Sequence, residues 1–462
     1  MKISELIADS PMTGLQLRVV IVSIILVVLD GYDVALAAFA APFIAQDFGV
    51  SKTELGMVLS GALVGMLAGS VIVAPIADRI GRRLTGVIGA TVIALGMFIG
   101  LFATIENGIF MLVLSRVVTG VGVGALVAVI GVMLSEYTNK RIYPLVMAAY
   151  AAAINIGGLL GAMVVGPMLA EHGWKFGWWV GFVLSAIAAV GAYFLLPESL
   201  TWLAEGRRRD ALAQLNKILA KMHKPTLDAL PQSSKSNSAV DKRVGMSAIF
   251  SGSLLWQTLL MTAAYFAYMV SFYFMTTWAP TSVANLNHQP LLAPQLVVAF
   301  SIGGIAGNIV FGLIASRVNL RILTPIFLII ATAALSYFGF AGATMPAAWW
   351  TLFVASFFVC AGTAGFYGII PMLYPTLVRS TGYGVVIGLG RFGGIVAPVL
   401  GGVCFDAGMG MTTAFTLFAL PMLLAGIGLL ILHVGLKRSA ANQAATLAVE
   451  SQGKPLARAQ QS

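Results

Sequence analysis

The stretch Ala74-Pro75-Ile76-Ala77-Asp78-Arg79-Ile80-Gly81-Arg82-Arg83 recurs without gaps as Gly312-Leu313-Ile314-Ala315-Ser316-Arg317-Val318-Asn319-Leu320-Arg321, an offset of 238 residues. In each copy an apolar run gives way to a basic loop. The same offset carries Gly65 and Gly69 to Gly303 and Gly307, and Arg141 to Arg379. A single spacing therefore relates an apolar span, the loop after it and a loop two spans further on. Self-similarity of this kind marks a chain built from two parallel repeats.

The surrounding composition says where those repeats live. The 462 residues are 59% hydrophobic and only 10% charged, against roughly 25% charged in a soluble domain. Runs of about 20 apolar residues are long enough to cross the hydrocarbon core of a bilayer. Twelve such runs can be read, at 19–44, 53–75, 84–104, 109–133, 144–168, 177–197, 250–279, 294–315, 323–343, 348–372, 383–404 and 412–435. Six spans per repeat give both halves the same orientation. The expected fold is an all-α membrane protein, two parallel six-helix bundles around a central cavity. Its expected parts are a tail (1–18), a first bundle (19–197), a linker (198–247), a second bundle (248–435) and a second tail (436–462). The start of the linker, Leu200 to Met222, reads as an amphipathic helix on the membrane surface.

The net charge of +10 invites a nucleic-acid reading, and its distribution excludes one. With the first tail inside, 23 of the 27 Lys and Arg residues fall on the cytoplasmic side; Lys52 and Lys175 fall on the other, and Arg116 and Arg391 lie within spans. That asymmetry is the topological signature of a membrane protein with both tails in the cytoplasm. Cys360 and Cys404 lie in apolar spans without a CxxC partner, so neither a disulfide framework nor a zinc site is expected.

Charges inside spans are the candidate functional groups, because each costs a few kcal/mol unless it faces something polar. The first span holds Leu29-Asp30-Gly31-Tyr32-Asp33, with the acids at i and i+3 on one helix face. Burial and mutual repulsion favour holding a proton there, and entering water favours releasing it. Which of Asp30 and Asp33 carries the proton is left open by the sequence. Arg116 in the fourth span is a permanent cation needing a partner: a first-span aspartate, a proton relay, or a packing ion pair. Arg391 in the eleventh span has a planar fork suited to a carboxylate, or snorkels to the cytoplasm. Tyr265, Tyr268 and Phe272 form a stripe on the aromatic seventh span where a substrate ring stacks, or where helices pack; Trp256 and Trp278 read as interfacial anchors. Asn155, Asn308 and Tyr367 are further polar groups at membrane depth. Asp78, Arg79, Glu136 and Arg141 at the cytoplasmic ends read as a gate that breaks during a rocking motion, whereas Arg82 and Arg83 read as solvated orientation charges. Gly61, Gly65 and Gly69, Gly120 and Gly124, and Gly303 and Gly307 read as helix-packing ridges. No metal-ligand spacing, nucleotide-binding loop or nucleophile constellation is present in the sequence. No enzyme activity, metal or cofactor is expected, and an ion gradient is the expected energy source.

The 74–83 segment resembles the loop motif of the major facilitator superfamily, with Ala74 where that motif has Gly. Leu114-Ser115-Arg116-Val117-Val118-Thr119-Gly120 resembles its fourth-helix motif, and Pro197-Glu198-Ser199-Leu200-Thr201-Trp202-Leu203 the end of helix six in its organic-solute porters. Within that superfamily, Asp30-Gly31-Tyr32-Asp33, Ser135-Glu136-Tyr137-Thr138 and Gly388-Leu389-Gly390-Arg391-Phe392-Gly393 resemble motifs of the aromatic acid:proton symporters. The resemblance covers essentially the whole chain. It implies proton-driven uptake of benzoate, a hydroxybenzoate or a similar acid, by a monomer in the bacterial inner membrane. It implies roles for Asp30, Asp33, Asp78, Arg116, Glu136 and Arg391. The rival readings are a porter of another organic solute (dicarboxylate, sugar or drug) and a membrane receptor for an aromatic acid.

Overall fold

The computed structural model describes residues 7, 10–206, 208, 210–230, 249–375 and 378–452. Most of the expected first tail before residue 10, Arg207 and Arg209, the linker from 231 to 247 and the second tail from 453 onward lie outside the described residues.

Twelve helices are long and apolar enough to cross a membrane. They are α1 (Gly14–Phe48), α2 (Lys52–Ile80), α3 (Arg82–Gly100), α4 (Gly108–Tyr137), α5 (Tyr143–Val164), α6 (Lys175–Leu195), α7 (Gly252–Leu286), α8 (Leu292–Ala315), α9 (Leu320–Ala341), α10 (Met345–Ile369), α11 (Arg379–Asp406) and α12 (Met411–Gln452). Their starts are dictated locally. Ser51 and Glu54 exchange hydrogen bonds in a capping box before α2. At α3 the cap comes from far along the chain: the Glu198 carboxylate accepts from the amides of Arg82 (2.7 Å) and Arg83 (3.0 Å). An acid there also suits the positive end of the helix dipole.

Packing follows the repeat seen in the sequence. In the first bundle α1 packs on α5, α2 on α4, and α3 on both α4 and α6. The second bundle repeats this with α7 on α11, α8 on α10, and α9 on both α10 and α12. The glycine ridges set the separations. A side chain at Gly65 would place its Cβ 2.0 Å from the Val117 carbonyl oxygen of α4, and one at Gly307 would meet the Phe357 oxygen of α10 at the same 2.0 Å. Apolar residues such as Val71, Ile72, Leu160 and Phe194 stay exposed, a surface suited to lipid and not to water.

Two expectations need correction. Trp278 is buried, and its Nε1 donates to the Pro398 carbonyl of α11 (2.9 Å), so it pins α7 to α11 and anchors no interface; Trp256 is exposed. The start of the linker is two short helices, Leu200–Ala204 and Ala211–Lys221. Their apolar faces (Trp202, Leu203, Leu215, Leu219) are buried in one cluster with Leu134, Tyr137 and Leu196 of the first bundle. The amphipathic pattern is real; its apolar face is covered by protein.

The bundles meet in a seam near the end that carries Lys52 and Asp406. The Asp406 carboxylate, at the end of α11, accepts from the amides of Lys52 (3.0 Å) and Thr53 (2.8 Å) and the Thr53 hydroxyl (2.6 Å) at the start of α2. Deeper, Ser60 donates to the Ile395 carbonyl (2.8 Å) and Thr281 of α7 to the Ala38 carbonyl of α1 (3.4 Å). Among the described residues, every hydrogen bond joining the bundles lies in this half.

Candidate functional site

Beneath that seam a cavity of about 170 Å³ lies between the bundles. The first bundle lines it with Asp30, Val34, Ala38, Met66, Asn155 and Gly158. The second contributes Tyr265, Phe272, Tyr273, Phe300, Tyr367 and Arg391, among others. A closed apolar cavity of about 150 Å³ accepts a benzene ring, so this one has room for a single-ring molecule.

Asp30 reaches the cavity because of how α1 is held. Gly31 brings α1 so close to α5 that a Cβ would sit 2.0 Å from the Ile154 carbonyl oxygen, and Gly157 returns the contact at 1.9 Å from Val28. With α1 clamped there, Asp30 turns inward. It is 6% exposed, and its Oδ1 has no hydrogen-bond partner among the described residues. Asp33, one turn on, points elsewhere. Its Oδ1 lies 2.6 Å from Nη1 of Arg116, and its backbone carbonyl accepts from Nη2 at 3.0 Å. Both side chains of that pair are 1% exposed. Gly61 of α2 makes room for this arginine, since a Cβ there would stand 3.0 Å from Cβ of Arg116. The two acids expected on one face are thus split, one in the cavity wall and one sealed inside the first bundle. Arg116 takes the first-span aspartate as its partner.

Arg391 is flanked by glycines that let aromatic rings lie on α11. A Cβ at Gly390 would strike the Tyr265 ring at 2.2 Å, and one at Gly394 the Tyr273 ring at 2.4 Å. The hydroxyls of Tyr150, Tyr265, Tyr273 and Tyr367 stand within electrostatic reach of its guanidinium. Asp30 feels the same cation across the cavity. Among the described residues no carboxylate forms an ion pair with Arg391. The site therefore offers a planar cation, an acid and ring faces, an arrangement that can hold an aromatic anion.

The aromatic stripe divides. Tyr265 and Phe272 line the cavity. Tyr268 lies behind them, fully buried, donating to the Val359 carbonyl (2.8 Å) and paired with the Thr363 hydroxyl (2.5 Å). Asn308 is half-buried on α8, outside the cavity wall. Tyr273, Phe300 and Ser301 line the cavity without having been marked by the sequence. Tyr273 sits one residue past Phe272, off the strict helical period of the stripe, and still reaches the cavity.

The expected gate residues behave differently again. Glu136 pairs with Arg82 and accepts from the Ser199 hydroxyl (2.7 Å) and the Leu200 amide (2.9 Å). Arg82, read from sequence as a solvated charge, is instead the centre of this cluster, donating also to Ser199 and Thr201 at 2.9 Å each. All its members belong to the first bundle and the linker helix. The Asp78 backbone carbonyl accepts from Trp202 (2.9 Å), and the side chains of Asp78, Arg79 and Arg141 are exposed.

Comparison with known proteins places this geometry. The chain is 30% identical over 437 residues to the 4-hydroxybenzoate transporter PcaK of Pseudomonas aeruginosa, covering 93% of this chain and 95% of that one. It is 28% identical over 430 residues to a gallate transporter of Pseudomonas putida, covering 93% and 94%. Its fold matches the inward-open xylose transporter XylE of E. coli with a TM-score of 0.69 at 16% identity, over 90% of this chain and 95% of that one. The profile of the Major Facilitator Superfamily matches residues 23–372 and 285–460. With two matched six-helix repeats and a cavity between them, this chain belongs to the Major Facilitator Superfamily, a family of transporters and not of enzymes.

Proposed function

We propose that the protein imports a small aromatic carboxylate, of the benzoate or hydroxybenzoate type, coupled to protons and by alternating access. The observation that carries this reading is the shared cavity: Arg391 and Asp30 face it from opposite bundles, with Tyr265, Phe272 and Tyr273 as ring-bearing walls. Arg391 holds the substrate carboxylate through its planar fork. The ring lies against the aromatic walls, where offset or edge contacts favour it. The names of the relatives support the same class of substrate.

Asp30 carries the proton in this reading, because it borders the space that water and substrate enter. Asp33 and Arg116 hold α1 and α4 in register behind it. An anion moving inward opposes a negative-inside potential by about 2.3 kcal/mol per 100 mV. Entry of a proton on Asp30 cancels that cost. In this reading both tails lie in the cytoplasm of a bacterium and the membrane is the inner one, an orientation that the basic ends of the helices support. The seam at Lys52 and Asp406 then seals the outer side, and the conformation is inward-facing. The protein works as a monomer embedded in lipid. Glu136, Arg82, Asp78, Arg79 and Arg141 form the cytoplasmic edge that rearranges when the inner side closes.

Uptake by cells expressing the protein tests this reading. Labelled benzoate or hydroxybenzoate should accumulate, and a protonophore should abolish accumulation. Accumulation of xylose or succinate in place of the aromatic acids, or indifference to the protonophore, rejects it.

A further inference from the structure

Besides Arg391 and Asp30, the cavity wall carries a second pair of polar groups, where α5 packs on α8. Asn155 of α5 and Ser301 of α8 both line the cavity. Each lies over a glycine of the opposite bundle. A Cβ at Gly304 of α8 would meet Asn155 Oδ1 at 3.2 Å, and a Cβ at Gly158 of α5 would meet Ser301 Oγ at 3.3 Å. Ser301 is 2% exposed. The fold thus gives up two side chains to seat two polar heads, one from each bundle, in the same wall.

Both threonine hydroxyls of that wall are already occupied. The Thr276 hydroxyl donates to the Phe272 carbonyl (2.7 Å), and that of Thr363 pairs with Tyr268 (2.5 Å). Asn155 and Ser301 spend no hydrogen bond on the protein among those formed by the described residues. An amide brings two donors and an acceptor, and a hydroxyl brings both functions. Polar groups at such depth belong with a hydrogen-bonding partner, and a benzene ring with a carboxylate alone offers them none.

We propose that Asn155 and Ser301 recognise a hydroxyl on the substrate ring, so that the protein selects ring-hydroxylated aromatic acids over unsubstituted ones. This inference rests on the aromatic-carboxylate reading above. The hydroxyl joins the two bundles through one hydrogen bond to each, while the carboxylate is held by Arg391. The acid must carry its hydroxyl away from the carboxylate. In the ortho isomer the hydroxyl bonds its own carboxylate, and that isomer should behave like benzoate.

The test is binding of benzoate and of 2-, 3- and 4-hydroxybenzoate to the purified protein in detergent, by titration calorimetry. The wild-type protein should bind the 3- or the 4-isomer about tenfold more tightly than benzoate, the worth of one or two neutral hydrogen bonds. The 2-isomer should track benzoate. In Asn155→Ala and Ser301→Ala the ratio of affinities, hydroxylated over unsubstituted, should fall towards one; Ser301→Thr, which keeps the hydroxyl, should retain more of it. Equal wild-type affinity for all four acids overturns the assignment while leaving the carboxylate reading intact. A ratio that stays near tenfold in both alanine variants also overturns it. Failure to bind any of the four overturns the carboxylate reading and this inference together. Where an alanine variant does not fold, Ser301→Thr and Asn155→Ser keep the residue assignment open to the same comparison of ratios.

Discussion

Two acids three residues apart on one helix meet two arginines under opposite conditions. Asp33 and Arg116 are in direct contact, 2.6 Å apart, inside a single bundle and each 1% exposed. Asp30 and Arg391 come from different bundles, share a cavity and form no ion pair with each other among the described residues. The first arrangement is closed to water and ligand, and the second is open to both. Sequence spacing makes the acids neighbours; the turn of α1 against α5 makes them different. The lesson is that a carboxylate in a membrane-spanning helix acquires its job from the element it faces. A sealed pair holds helices together. A separated pair leaves its charges available to something that arrives.

Breaking each pair should therefore give different losses. Arg116→Leu strands the Asp33 carboxylate without its partner, which costs about 3–5 kcal/mol at a buried site. The thermal midpoint of the purified protein should fall sharply, and Asp33→Asn in the same chain should recover part of it. Arg391→Leu should leave that midpoint nearly unchanged. Equal destabilisation by the two leucines would erase the distinction.

Lengthening the acids separates the same two environments. Asp33→Glu adds a methylene to a packed site, at about 1–3 kcal/mol. Asp30→Glu extends into the cavity, so its stability should stay within about 0.5 kcal/mol of wild type. Arg391→Lys asks whether the open arginine works through its fork. It retains charge and loses bidentate geometry, and affinity for an aromatic acid should fall about tenfold with stability preserved. Unaltered affinity would mean that charge alone is read.

In the proposed orientation the seam closes the cavity, and with it Asp30 and Arg391, from the outside. Asp406→Ala removes the cap it supplies to α2, worth about 1 kcal/mol, or roughly a fivefold shift between conformations. In a background lacking Cys360 and Cys404, a cysteine at the cavity position Val34 should react several-fold faster with an impermeant thiol reagent added outside. A cysteine at Leu36, buried within the bundle, should not change. Acceleration at both positions would point to general loosening and not to opening at the seam.

Much of this was legible in the sequence. Hydropathy and the 238-residue offset specify twelve helices in two like bundles, because lipid admits few alternatives to apolar helices. Single charges at membrane depth marked Asp30, Asp33, Arg116 and Arg391, because their burial is expensive wherever they point. The direction in which each points was not legible. It depends on helix rotation, and that is set by contacts such as Gly31 with Ile154 that no local pattern announces. Tyr268 and Phe272 look alike in a periodic stripe, yet only Phe272 reaches the cavity. Ser301 and Phe300 are ordinary residues until the other bundle is in place. Arg82 looked like a loop charge because its partners, Glu136 and Ser199, are 54 and 117 residues away.

The most direct test of the account uses proteoliposomes containing wild type or Asp30→Asn, with labelled hydroxybenzoate. Wild type should accumulate the acid when the outside is made acidic, and should also exchange it at equal pH. Asp30→Asn fixes the cavity acid in its neutral form; exchange should persist and acid-driven accumulation should vanish. Accumulation by Asp30→Asn at the wild-type level would contradict the assignment of the proton to the acid that faces the cavity.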